Sequence, residues 1–90
     1  MRVSVRVQAE PFDPCAAQLE ARRGDAQVGA VVSFVGVMRD FNDDRQVRTL
    51  TLEHYPGMTE KALEAIAADA GERWPLQALT IVHRVGELRP

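Results

Sequence analysis

The stretch Pro56–Val85, PGMTEKALEAIAADAGERWPLQALTIVHRV, changes its hydrophobic period part-way along. Met58, Ala62, Leu63, Ile66, Ala67 and Ala70 recur at helical spacing, which gathers them on one stripe. Pro56-Gly57 precedes that pattern and Trp74-Pro75 follows it, so a helix is predicted over Thr59–Arg73. From Gln77 the period falls to two: Leu79, Ile81, His83 and Val85 alternate with Ala78, Thr80, Val82 and Arg84, predicting a strand over Gln77–Val85. If Trp74 packs in the core between them, its truncation to alanine costs roughly 3 kcal/mol or more.

Working outward, Val47–Tyr55 alternates again, with Leu50, Leu52 and His54 opposed to Thr49, Thr51, Glu53 and Tyr55, and is predicted as a strand that Pro56-Gly57 breaks. Upstream, Val28–Met38 is almost continuously apolar and β-branched, the pattern of a central strand covered on both faces. Its Gly29 and Gly36 predict a bulge or a close backbone approach. A polar loop, Arg39–Asp44, follows. At the start, Val3, Val5 and Val7 alternate with Arg2, Ser4, Arg6 and Gln8, giving a strand over Arg2–Ala9. Asp13-Pro14 then reads as an N-cap with proline in the first turn of a short helix that runs to about Arg23 before Gly24. The predicted order is β-α-β-β-α-β, a two-layer α+β domain with helices packed on a sheet, spanning 1–90 as one unit.

Composition narrows the function classes. A chain of 90 residues with 46% apolar and 27% charged content is expected to fold as one small soluble domain whose modest core invites association. A formal charge of −2 supplies no broad basic field for nucleic acid, so any anion site is local. Neither a signal-peptide stretch at Met1-Arg2-Val3-Ser4 nor a membrane-length apolar run is found, which predicts a cytoplasmic protein. Lone Cys15 excludes an internal disulfide and a Cys-pair zinc site.

Few residues are placed for chemistry. Arg39 follows the apolar run at its exit into a polar loop, where a planar guanidinium fork suits a phosphate or carboxylate; the alternative is a solvated arginine paired with Asp40, Asp43 or Asp44. Cys15 lies in the first turn of a helix but has no sequence-adjacent base, and reads as a packing residue. His54 and His83 are candidate bases or metal ligands, but two histidines make an incomplete metal site, and each reads as a partly buried side chain with one hydrogen-bond partner. Glu53, Glu60 and Glu64 read as solubilising charges on wet faces. Lys61, the only lysine, stands among acids on a helix, poorly placed to act as a base or nucleophile.

Four segments carry a resemblance: Gly29–Arg39 (GAVVSFVGVMR), Leu52–Leu63 (LEHYPGMTEKAL), Arg73–Leu76 (RWPL) and Val82–Leu88 (VHRVGEL). Together they resemble the amino-terminal part of the large, catalytic subunit of molybdopterin synthase, from Val28 to Pro90, with the Glu-His-Tyr-Pro-Gly-Met segment the most specific. The resemblance implies an α/β-hammerhead fold, a homodimer, and a heterotetramer completed by small ubiquitin-like subunits. Each small subunit's C-terminal Gly-Gly thiocarboxylate would deliver sulfur, converting cyclic pyranopterin monophosphate to molybdopterin. Cys15 then has no sulfur to supply, and neither cofactor nor metal is implied. By the same resemblance Val37, Met38 and Arg39 contact substrate, with Arg39 as anion clamp, and Phe34 and Gly36 shape the pocket floor. Val37 stands where other members carry a basic side chain.

The family continues beyond the position of Pro90 into a lysine-bearing segment that does much of the chemistry, so the chain is expected to supply part of a substrate pocket. The alternative within this reading is a non-catalytic binding or dimerisation module. A small acylphosphatase-like hydrolase shares the size and element order, but leaves the Glu-His-Tyr-Pro-Gly-Met segment without a role.

Overall fold

A computed structural model describes residues 1–39, 41–42, 45–46 and 50–89. Two stretches of the chain far apart in sequence form its frame. β1 (Arg2–Gln8) pairs with β5 (Ala78–Arg84) in parallel, from Arg2 opposite Ala78 through Val5 opposite Ile81 to Gln8 opposite Arg84. Parallel partners need a crossover, and its last long element is α2 (Met58–Arg73), which packs along β1. Ala67 is fully buried on the inner face of α2, where a methyl group lets helix and strand approach closely. Val85, just past β5, is 7% exposed, and its N–H donates to the Gln8 carbonyl at 2.9 Å.

The shorter helix, α1 (Pro14–Arg22), begins as expected: Asp13 accepts from the Cys15 N–H at 2.9 Å and Pro14 occupies the first turn. On the polar face of β1, Arg2 reaches the Ala21 carbonyl at 3.3 Å and Asp25 at 3.0 Å. These contacts tie the last turn of α1 and the loop after it to the sheet. Two short pairings complete the described structure: β2 (Phe41–Asn42) with β3 (Arg45–Gln46), and β4 (Leu50–Leu52) with β6 (Gly86–Leu88), each antiparallel. Gly86, at φ +84, turns the chain from β5 into β6, a conformation that L side chains resist.

The α+β class and both long strands agree with the sequence reading, but several elements differ. Residues 29–38 form no strand, and the side chains expected in the core lie at the surface, with Val32 95% and Phe34 97% exposed. β-Branched residues favour an extended backbone, but a strand also needs a hydrogen-bonded neighbour, and among the described residues the other strands pair with one another. Neither Gly29 nor Gly36 sits at a bulge or close approach: a Cβ built on either would meet nothing within 4 Å. The strand expected over Val47–Tyr55 is confined, in its described part, to Leu50–Leu52, because Tyr55 is taken up by the turn that starts α2. The polar loop after Arg39 contains the β2–β3 pairing, and β6 had no counterpart in the reading. Trp74 caps α2 and is 56% exposed, so it is not a core residue. A radius of gyration of 15.1 Å, against roughly 12 Å for a compact chain of this length, fits so small a buried core.

Gly57 holds φ +84 at the start of α2, with Pro56 before it in a turn whose Tyr55 carbonyl accepts from the Met58 and Thr59 N–H groups, both at 3.0 Å. Gly57→Ala is expected to lower stability by about 1 to 2 kcal/mol, read as a fall in thermal midpoint, whereas Gly36→Ala leaves the midpoint near wild type. Equal midpoints for the Gly57 variant and wild type would show that the turn does not impose this conformation.

Candidate functional site

A cavity of about 990 Å³ lies between α1, the extended run 28–38 and β5, with Leu52 and Leu88 at its margin. That volume is at the upper end of small-molecule sites. Every residue from Gln77 to Arg84 reaches it, which a strand can do only by presenting its edge rather than one face. Opposite chemistry meets there: Val31, Phe34, Val35 and Ile81 supply apolar wall, while Ser33, His83, Arg22, Arg84 and Arg89 supply polar atoms. The Gln18 amide donates to Ser33 Oγ at 3.1 Å and ties the run to α1. No aspartate or glutamate is among the lining residues, so the local field favours an anion although the chain is net acidic.

Of the residues singled out by sequence, Phe34, Gly36, Val37 and Met38 line this cavity together. Arg39 follows Met38 as an exposed side chain engaged in an interaction of its own, and does not line the cavity. Asp40, Asp43 and Asp44, its expected partners, lie outside the described residues. Cys15 is exposed at the start of α1 and is not a lining residue. Lys61 is exposed on α2, away from the cavity walls. Sequence reasoning missed Arg22, Arg84 and Arg89. Arg84 was readable as the wet-face residue of an alternating strand, and only the edge-on placement of β5 turns it toward the cavity.

The most specific sequence segment, Glu53–Glu60, builds a turn rather than a pocket. The Thr59 hydroxyl accepts from the Tyr55 N–H at 3.1 Å, and Glu60 Oε2 accepts from the Gly57 N–H at 2.6 Å. Through its other oxygen Glu60 takes the His54 Nε2–H at 2.6 Å, and the Tyr55 hydroxyl donates to the Glu53 carboxylate. Glu60 is therefore not a free solubilising charge: it caps α2 and anchors the end of the β4 segment. His54 has the single partner expected of it, and no group of three or more metal-binding side chains occurs among the described residues. The His54 hydrogen bond, then the N–H groups of the first helical turn, hold the Glu60 carboxyl below its ordinary value, while the Glu53 carboxylate raises the Tyr55 hydroxyl.

A family model described as MoaE protein matches residues 7–90. The chain belongs to that family. It is 54% identical over 88 residues to the molybdopterin synthase catalytic subunit of Pseudomonas aeruginosa, covering 98% of this chain and 59% of that protein. The Escherichia coli molybdopterin synthase catalytic subunit is 58% identical over 62 residues, 69% of this chain and 41% of that protein. Among solved structures, molybdopterin cofactor biosynthesis protein E from Burkholderia multivorans superposes with a TM-score of 0.86 at 52% identity, covering all of this chain and 57% of that one. This chain thus spans about half the length of the relatives it matches, from 41% to 59%. No helix among the described residues is long and apolar enough to cross a membrane.

Ionised Glu60 favours the folded chain, because its folded pKa lies below its unfolded one. That stabilisation is complete above the ordinary carboxylate value of 4.5 and is lost as pH falls through the lowered folded value. Glu60→Gln should therefore flatten the acid limb of a stability-versus-pH curve. An unchanged acid limb would mean that the His54–Glu60–Gly57 contacts do not persist in solution.

Proposed function

We propose that this chain provides part of a molybdopterin synthase catalytic subunit, a sulfur-transferring enzyme of molybdenum cofactor biosynthesis. Its reaction converts cyclic pyranopterin monophosphate to molybdopterin, with sulfur delivered by the C-terminal thiocarboxylate of a small ubiquitin-like subunit. The single observation that supports the reading best is the cavity that gathers Phe34, Gly36, Val37 and Met38 beside three arginines and no carboxylate. A pterin needs apolar surface for its rings and cations for its phosphate, and this cavity carries both.

In this reading Val37, Met38 and Arg39 contact the substrate. Phe34 and Gly36 shape the floor against which the ring system rests. Arg39, at the end of the wall formed by the run, clamps the phosphate and keeps the pterin near the incoming thiocarboxylate, so that the chain acts chiefly by positioning. The protein works in the cytoplasm as a single domain, as a homodimer that binds two small subunits, and requires no cofactor of its own.

A second reading is a binding or dimerisation module without turnover; Lys61 is exposed on α2 and away from the cavity. Incubation with thiocarboxylated small subunit and cyclic pyranopterin monophosphate separates the two. Dithiolene product supports the enzyme, whereas small-subunit and substrate binding without product supports the module. In either case Arg39→Ala is expected to weaken substrate binding about tenfold or more, the worth of one charge-assisted contact, without moving the thermal midpoint. Unchanged substrate affinity in that variant would remove Arg39 from the site.

A further inference from the structure

Arg84 is the last residue of β5, and what it does there exceeds the end of a ladder. In a parallel pair the next donor after Val85 would continue along β1, but the chain turns away at Gly86. The Arg84 side chain takes over: Nε and Nη2 both donate to the Ala9 carbonyl, at 3.1 and 2.8 Å, across 75 residues of sequence. Beside this fork, the Val85 N–H holds the Gln8 carbonyl at 2.9 Å, and the Gln8 side-chain amide donates to the Glu10 carbonyl at 2.9 Å. The end of β1 and the first residue of the β1–α1 link are thereby fastened to the end of β5, and Gln8 in turn holds the next residue of the link, Glu10. Phe12, further along the same link, and Pro14, the first residue of α1, line the cavity, and Arg84 itself lines it too.

We infer that Arg84 is a positioning residue: its two-pronged grip on the Ala9 carbonyl sets where Phe12 and Pro14 stand and hence how tightly the cavity holds an anionic, ring-bearing ligand. The inference rests on the cavity's being the substrate site proposed above. Lysine cannot replace it, because an ammonium presents a point charge on a flexible stem, whereas the guanidinium offers two N–H groups in a fixed geometry. A lysine variant therefore keeps the charge and stem and loses only the grip.

The test compares the whole chain with its Arg84→Lys and Arg84→Gln variants in three measurements: thermal midpoint, amide hydrogen exchange over residues 9–14, and titration with cyclic pyranopterin monophosphate. Both variants are expected to fold with midpoints lowered by no more than several degrees, to exchange faster over the link, and to bind the probe about tenfold more weakly. Wild-type exchange and affinity in Arg84→Lys would overturn the inference, since charge alone would then suffice. A variant that unfolds would overturn it as well, by making Arg84 a stability residue. If the wild-type chain does not bind the probe, the proposed function fails, and the exchange measurement by itself decides whether Arg84 positions the link.

Discussion

The parallel ladder between Arg2–Gln8 and Ala78–Arg84 is the constraint on which the remainder of the structure depends. It joins the two ends of the described chain, so everything between must be arranged as a crossover that returns to the same edge. α2 fulfils that requirement by lying along β1 with Ala67 at the contact, and α1 is drawn to the sheet by Arg2 and Asp25. The ladder also explains why β5 has an edge to spare. With β1 on one side and the cavity on the other, its side chains from both faces reach the same space.

A division of labour follows between the two best-defined segments of the sequence. Glu53–Glu60 is rich in hydrogen bonds and works as a joint: His54, Glu60 and the Gly57 N–H fix the passage from β4 to α2. The run 28–38 has no ladder among the described residues and works as a wall. Both belong to the segments that carry the family resemblance, but for different physical reasons. One segment must adopt a particular backbone path, including a positive φ at Gly57, and the other must present apolar surface to a cavity.

How much of this could be read from the sequence depended on whether the signal was local. Asp13-Pro14 and Pro56-Gly57 mark helix starts because capping and proline geometry act within a few residues, and both helices begin within one residue of their expected positions. The alternations of β1 and β5 were legible because one-sided burial writes a period of two into the chain. The run 28–38 misled because β-branched, apolar content reports an extended preference and says nothing of a partner strand. Glu60 was legible in principle: a glutamate three residues beyond a helix N-cap is the reciprocal arm of a capping box, and attention to Gly57 as the cap would have found it. Arg84 was not legible, since its role comes from a carbonyl 75 residues away and from the edge-on placement of its strand.

The functional reading inherits this dependence. A cavity whose walls are α1, the run and the edge of β5 keeps its shape only while the ladder holds β5 to β1 and the Arg84 fork holds the link between β1 and α1. Native-state amide exchange tests the ladder most directly. The account predicts that the inward-pointing amides of Val3–Val7 and Leu79–His83 exchange most slowly in the chain and lose protection together as denaturant is added, as one cooperative unit. Rapid exchange in β1 while β5 remains protected, or separate opening of the two strands, would contradict it.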